Sequence, residues 1–448
     1  MYNSMSLWSD NAVGELVHHL RELVRIDTSN PPGGESEAAH YIRQVFEREG
    51  IGCDVLEAIP GRGNIVARIR GTGLRPPLLL MGHLDVVPVV DTHWSVNPFA
   101  AEIRDGQVWG RGTLDCKNTV ALWMMAMILL QRSGLKPNRD LIFLATADEE
   151  NDHLYGMAWM VKNHYDLIDA EAALNEGGGF SLSLMGKTFV TYQNAEKGNI
   201  WLRITAYGKS GHASIPSGDN PLILLADLIS RLVRHPFALL LTRSVRHMLL
   251  AMAKSYMPHY LPVDPLGLLL RPRLLKPLLS LLSRLNPHLA DKLHAMMHNT
   301  LTPTIFLAGH KTNVRPDKAY CEIDFRLLPC CDLEATIQQV SALIGGDFEI
   351  EVLGARAASE SAIQHPLVDA MRRSLAHHQP NAELVPFLLP GITDACFLRP
   401  KGMNVYGFTP LLPQDDPSLI HGNDERVSLD SLQFGLKVTL ETICDYIF

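Results

Sequence analysis

The sequence predicts an α/β protein: a mostly parallel sheet with helices on both faces, carrying a smaller inserted α/β module. Three observations predict it. Short apolar segments alternate with helical segments through the first 195 residues, the pattern of parallel strands joined by crossover helices. The pattern changes near Glu196 and resumes its first form after about Ser361. Finally, 448 residues exceed what one hydrophobic core usually serves.

Taken in order, "NAVGELVHHLRELVRI" has helical spacing of apolar residues and runs into the breaker cluster "SNPPGG". "EAAHYIRQVFEREG" is a second amphipathic helix, stopping at Gly50. "NIVARIRG" and "PPLLLMGHLD" are short apolar segments. A helix from about Thr119 to Arg132 follows, and its "VALWMMAMILL" is apolar nearly all round and so should be buried. "RDLIFLATADEE", "MAWMVKNHY" and "AEAALNEGGG" continue the alternation. Beyond Glu196, "GNIWLRITAYGKSGHA" alternates like a half-exposed strand and "NPLILLADLISRLVRH" follows as a helix. "TPTIFLAGHKTNVRPDKAYCEIDFRLL" predicts two strands, then comes a helix from Leu333 and the strand "FEIEVLGA". A basic, leucine-rich helical stretch interrupts this module from about His235 to Thr300, centred on "LGLLLRPRLLKPLLSLLSRL". It suits a helical cap packed on the module, or a membrane-surface or acyl-chain-binding element. "GMNVYGFTP" is a further strand of the outer domain. The expected boundaries are 1–195 and 357–448 for the outer domain and 196–356 for the insertion.

Composition narrows the function. Hydrophobic residues make up 46% and charged residues 20%, which is ordinary globular usage. The net charge of -8 argues against a nucleic-acid partner and suits an enzyme. Seven cysteines, an odd number with no C-x-x-C pair and only Cys330 and Cys331 adjacent, suit reduced thiols. They do not suit a disulfide framework or a thiolate zinc site. The first twenty residues lack the basic start and apolar stretch of a signal peptide. The longest apolar run, Val120 to Leu130, falls short of the roughly 20 residues that span a membrane. A soluble cytoplasmic protein with no integral membrane segment is expected.

The run "LLLMGHLDVVP", Leu78 to Pro88, raises the functional question. Strand alternation puts His83 and Asp85 on the same face. A lone buried charge is costly, so the pair is either a core histidine satisfied by a carboxylate or part of a site. Other strand ends carry the same residue types: Asp115 in "VWGRGTLDCKN", Asp148, Glu149 and Glu150 in "LIFLATADEE", and Glu176 in "AALNEGG". His421 lies far downstream in "LIHGNDERV". In open α/β sheets the ligand crevice lies beyond the carboxyl ends of the strands. Carboxylates converging there repel one another unless cations hold them. Imidazole plus carboxylate, without thiolate, fits zinc, manganese or cobalt better than magnesium or calcium. Each element alone has a plainer explanation: a solvated loop for the acidic triplet, a helix cap for Asp115, a surface histidine for His421.

Seven motifs in order, "GHLDVVPV", "GRGTLDCKN", "TADEE", "LNEGG", "GKSGHASIP", "CEIDFR" and "IHGNDERV", resemble one family. It is the acetylornithine deacetylase, succinyl-diaminopimelate desuccinylase, aminoacylase and glutamate carboxypeptidase family of dinuclear zinc metallopeptidases. The likeness covers essentially the whole chain, and the helical insertion resembles the carboxypeptidase S branch. It implies a catalytic domain (1–195 and 357–448) and an inserted lid (196–356) that forms a homodimer. It implies that His83, Asp115 and Glu176 hold one divalent metal and Asp115, Glu150 and His421 a second. Zinc is the expected metal, with cobalt or manganese as alternatives. Asp85 would fix the His83 imidazole, the Asp115–Cys116 peptide would be cis, and Glu149 would be the general base. His212 would donate to the oxyanion, reaching from a partner subunit. Arg326, Asn313 and the loop around Gly391 would face the substrate carboxylate.

The expected substrates are N-acyl amino acids or short peptides with a free carboxylate, and Glu176, in place of aspartate, leans towards acylases. The alternatives are a dipeptidase using the same metals and a non-catalytic metal-binding homologue. Two departures from the family pattern stand out. The acidic triplet continues as "DEENDHLYG" where a glycine pair is usual, which loosens the expected hold on Glu149. Cys396 stands where family members often carry arginine, leaving more of the substrate's acid to Arg326.

Overall fold

The computed structural model describes residues 8, 11–90, 93–215, 217–256 and 270–448. Residues 257–269 of the leucine-rich stretch, and most of the first ten residues, lie outside the described residues. The chain divides into two units: Met1–Asn194 with Ser361–Phe387 and Thr393–Phe448, and Ala195–Glu360 with Leu388–Ile392.

In the first unit the four central strands, Leu141–Thr146, Leu78–His83, Ala172–Asn175 and Asn404–Gly407, run parallel in that spatial order. Gly63–Ile69 and Cys53–Glu57 extend one side antiparallel, and Lys187–Glu196 the other. The sheet is therefore mixed, parallel at its centre. The parallel strands are buried on both faces, so they read as continuous apolar runs. Leu78 and Leu80 enter the core shared with helices Ala12–Arg25, Lys117–Ser133 and Leu429–Ile447. Leu79 and Met81 enter a second core with Met157–Asn163 and Ala395–Leu398. The helix Lys117–Ser133 is buried from Lys117 through Leu130, as its all-round apolarity requires. It ends at Gly134, whose φ of 66° is the left-handed conformation that glycine adopts without a Cβ clash. Trp123 Nε1 donates to the Met81 carbonyl at 3.0 Å, giving the buried indole its partner.

Register decides where the functional side chains emerge. His83 pairs with Thr146, and Asn175 pairs with Gly407. The parallel strands thus end together, and His83, the Asp148–Glu150 turn and Glu176 leave the sheet along one edge.

The second unit is built on a four-stranded antiparallel sheet ordered Thr300–Ala308, Lys318–Leu327, Gly198–Tyr207 and Glu349–Arg356. Along Lys318–Leu327 the alternation is strict. Cys321, Ile323, Phe325 and Leu327 are buried in a core with helices Pro221–Val233 and Leu333–Ile344, while Glu322, Asp324 and Arg326 take the other face. The Asn220 and Asp332 side chains cap those helices by accepting from Leu222 N and Ala335 N. The helical stretch supplies Arg243–Ser255, Pro272–Leu285 and Pro287–Met297. Buried Lys197 donates to the carbonyls of Ala295 and His298 and to Thr300 Oγ1, at 2.9–3.1 Å. Two carbonyls at the end of the last helix are thereby satisfied. Among the described residues no helix is long and apolar enough to cross a membrane.

Candidate metal centre and active site

Asp115 is the hinge of the site. One carboxylate oxygen lies 3.0 Å from His83 Nε2 and the other 3.2 Å from His421 Nε2. His421 Nε2 also lies 3.1 Å from Glu150 Oε1. Candidate ligand atoms of Asp115, Glu150 and His421 fall within 4.8 Å of one another, as do those of His83, Asp115 and Cys116. Glu149 Oε2 sits 4.0 Å from His83 Nε2. Glu176 belongs to neither close group, though it lines one small cavity with Asp115. The Asp115–Cys116 peptide is cis. Burial pushes the Cys116 thiol up to about 12, and its sulfur accepts from the His83 backbone N–H at 3.2 Å. Cys116 is therefore a buried thiol beside the site, not a thiolate.

The charges are balanced under strain. Burial pushes the Glu149 carboxyl well above its usual range. His83 opposes the rise, while Glu176, Glu150 and Asp394 add to it. Glu150 is raised by burial and then by Asp115. Hydrogen bonds to Asp115 and Glu150 push His421 up to about 10. Burial alone would raise Asp115, but hydrogen bonds from His421 and His83 outweigh it and hold that carboxyl very low. A donor set of two imidazoles and crowded buried carboxylates, with one carboxylate reaching both imidazoles, fits two divalent cations sharing Asp115.

Around these residues lies a shell of support. His83 Nδ1 is 3.0 Å from the Asp85 carbonyl and 3.4 Å from its carboxylate. The Asp85 carboxylate also accepts the backbone N–H groups of Glu149 and Glu150, at 3.1 and 3.0 Å, and Asn30 Nδ2 at 2.8 Å. One aspartate therefore orients the imidazole and pins the turn that carries Glu149 and Glu150. Asp148, in the left-handed region at φ 62°, accepts from Asn30, Arg62 and the Tyr155 N–H. Arg62 in turn grips buried Glu35 through two 2.8 Å bonds.

The unusual continuation of this turn is tied down as well. His153 Nδ1 lies 3.0 Å from Asp394, which also accepts from Thr146 Oγ1 at 2.6 Å. Gly156 packs so closely that a Cβ would sit 1.7 Å from the Ala147 carbonyl oxygen. Asp115 has its own clamp. Fully buried Glu425 accepts the backbone N–H groups of Leu114 (2.7 Å), Asp115 (3.2 Å) and Gly112 (3.2 Å), and pairs with Arg111 at 2.7 Å. Asn30, Glu35, Arg62, His153, Asp394 and Glu425 were not singled out from the sequence. Glu425 stood within a quoted motif, four residues after His421.

The remaining expected site residues lie in the second unit. His212 pairs with Val314 in a two-stranded ribbon, and the Ala213 N–H donates to the Asn313 carbonyl at 3.1 Å. His212 Nδ1 accepts the Ser214 backbone N–H at 3.2 Å and lies 2.6 Å from its hydroxyl. An acceptor Nδ1 places the proton of the neutral ring on Nε2. Arg326 is held side-on by Asp324, with Nε and Nη2 at 2.8 and 2.9 Å from the two carboxylate oxygens. That pairing leaves the end-on N–H groups of Nη1 and Nη2 uncommitted to Asp324. Gly391 is half-buried in the returning segment Leu388–Ile392.

A family model described as peptidase family M20/M25/M40 matches residues 79–445. The chain is 26% identical to the N-fatty-acyl-amino acid synthase/hydrolase PM20D1 of Xenopus tropicalis, covering 96% of this chain and 85% of that one. It is 27% identical to a probable carboxypeptidase S-like 2 of Dictyostelium discoideum, over 79% of this chain and 68% of that one. Its fold is similar to the M20 family metallo-carboxypeptidase Sso-CP2 of Sulfolobus solfataricus, with a TM-score of 0.74 at 21% identity over 96% and 99% of the two chains. It is also similar to human carnosine dipeptidase 1, with a TM-score of 0.69 at 15% identity over 99% of each.

Proposed function

Because the chain belongs to peptidase family M20/M25/M40 and is a hydrolase of amide C–N bonds, we propose that it cleaves the amide bond between the acyl group and the nitrogen of N-acyl amino acids that carry a free carboxylate. The observation that carries this proposal is the Asp115 carboxylate set between His83 and His421, with Glu149 beside them. The name of the Xenopus relative supports an acylated amino acid as the substrate class. His83, Asp115 and Glu176 would hold one cation, and Asp115, Glu150 and His421 the other. Bound there, two divalent ions, zinc with cobalt or manganese as alternatives, would polarise the scissile carbonyl and lower the pKa of water.

The chain's own groups do the rest. Glu149 takes the proton of the attacking water and delivers it to the leaving amine. Asp85 holds the His83 ring and the Glu149 turn in register. His212, protonated on Nε2, donates to the oxyanion. Arg326 offers its end-on fork to the substrate carboxylate, with Asn313 and the Gly391 loop beside that group. The inserted unit acts as the lid and dimerises. In support, Ile305, Phe306 and Leu307 are exposed on the edge strand Thr300–Ala308, as are Ile223 and Val233 on the helix Pro221–Val233. The odd number of cysteines, seven with no C-x-x-C pair, supports a cytoplasmic location.

The test is a panel of N-acyl amino acids and the same compounds with the carboxylate converted to an amide. Wild type should prefer the acids, and Arg326→Ala should erase most of that preference by lowering kcat/KM for the acids only. Equal cleavage of acid and amide by wild type would remove the carboxylate from the substrate definition.

A further inference from the structure

The helix Pro272–Leu285, "PRLLKPLLSLLSRL", carries a leucine stripe that is only half used. At 100° per residue, Leu275, Leu279 and Leu282 form one edge of the stripe and Leu274, Leu281 and Leu285 the other. The first edge faces protein: Leu275 is 3% exposed, and Leu279 and Leu282 are half-buried. The second edge faces solvent, with Leu274 at 50%, Leu281 at 54% and Leu285 at 75% exposure. Single exposed leucines are commonplace, but three in line over about 16 Å of one helix make a continuous apolar ridge.

The charge beside the ridge is one-sided. Arg273 and Arg284 border it on the side away from the packed edge, and Lys276 follows with Ser280 and Ser283. From Arg271 to His288 the sequence has no acidic residue. Between Arg231 and Lys292 it has ten lysines and arginines against two acids, in a chain whose net charge is -8. Among the described residues no acidic side chain pairs with Arg271, Arg273, Lys276 or Arg284. A second copy of this face would set these cations against their own images, so self-association is the poorer fit. A surface with an apolar interior and an anionic skin fits both features at once.

We propose that Pro272–Leu285 docks the protein flat on an anionic lipid bilayer. The Leu274–Leu281–Leu285 ridge enters the acyl boundary, and Arg273 and Arg284 lie at the level of the lipid phosphates. The helix is too short and too charged to span; it rests on the surface. The proposal stands independently of which amide the enzyme cleaves.

The test uses the full-length protein and sedimenting vesicles of phosphatidylcholine, with or without phosphatidylglycerol. Wild type should sediment with the mixed vesicles and not with the neutral ones, and added salt should release it. The variant L274Q/L281Q/L285Q should stay in the supernatant. R273Q/R284Q should bind on the order of 25-fold more weakly, about five-fold for each cation lost. Both variants should keep the wild-type circular-dichroism spectrum and melting temperature, which shows that they fold. Three results would overturn the proposal: wild type ignoring anionic vesicles, the glutamine triple variant binding as well as wild type, or a self-association that the triple variant abolishes.

Discussion

Glu425 is not itself an expected metal ligand, yet its loss should be felt at the metals. Its carboxylate gathers three backbone N–H groups from the loop that ends in Asp115, and balances Arg111, which is 3% exposed. Replacing it with alanine leaves that guanidinium buried and unpaired, which costs roughly 3–5 kcal/mol. Glutamine keeps one acceptor oxygen and turns the other into an NH₂ donor, so either the Leu114 and Asp115 N–H groups or Arg111 and the Gly112 N–H lose their acceptor. Hydrogen bonds to a charged group contribute about 1.5–3 kcal/mol each, and Glu425→Gln should forfeit two of them. Because these bonds set where the Asp115 backbone lies, metal affinity should drop about 10–100-fold, the usual effect of losing an outer-shell partner. The assay is competition with a chelator of known strength, alongside turnover at saturating metal. Turnover there should recover to near wild type, since no reacting group has changed. A Glu425→Gln protein that melts earlier but holds metal as tightly as wild type would refute this account.

Exhaustive chelation should abolish hydrolysis, and zinc, cobalt or manganese should restore it; activity that survives verified metal loss would rule out the two-metal centre. Glu149→Gln should keep its metal content and lose on the order of 10²–10⁴ in kcat, as expected for a positioned base. Asp115→Ala should instead fail to retain metal, measured by elemental analysis. His212→Ala mixed with Glu149→Ala should regain partial activity after subunit exchange if the lid histidine serves a partner's site, and mixtures that stay inactive would confine it to its own chain. His19 gives a pH test away from the metals: burial lowers it from 6.5 to about 4, with neighbouring His18 adding to the effect. The unfolded chain therefore takes up a proton that the folded chain refuses between those values. Stability should fall by roughly 2–3 kcal/mol as pH drops from 6.5 through 4, and urea melts of His19→Gln should show a shallower decline.

The strand ends were legible because a parallel strand buried on both faces leaves little room for histidine or carboxylate except at its tip. His83, Glu149, Glu150 and Glu176 stood out for that reason, whereas Asp115 follows a strand of a small antiparallel sheet and His421 sits in a loop, and the structure brings His83, Asp115, Glu150 and His421 together. What stayed hidden has another origin. Asn30 sits in "SNPPGG", a stretch whose composition announces only a break in helix, and its amide reaches Asp85 and Asp148 across 55 and 118 residues. The Arg62–Glu35 pair and the His153–Asp394 contact join distant loops in the same way, and no periodicity marks such partners. The "DEENDHLYG" turn looked loosened by its missing glycine pair. Instead Asp148, His153 and Gly156 each fasten it to a different neighbour. Arg326 was expected to be available, and one sign of its partner was in plain view. Asp324 lies two residues earlier, and i and i+2 share a face of a strand.

The pairing of Ala172–Asn175 with Asn404–Gly407 has a consequence for how the protein is made. The two strands leave the ribosome more than 200 residues apart, which at 5–20 residues per second is about 10–50 s. Throughout that interval Ala172–Asn175 presents a bare hydrogen-bonding edge on an apolar sheet, the kind of edge that recruits other chains. The inserted unit, antiparallel and contiguous apart from Leu388–Ile392, can fold during the wait. The outer sheet cannot close, and His421 cannot join Asp115, until the last part of the chain has appeared. A ribosome-stalled chain ending before Asn404 should therefore bind holdase chaperones and capture no metal pair, while release of the full chain should bring closure of the sheet and assembly of the site in one step.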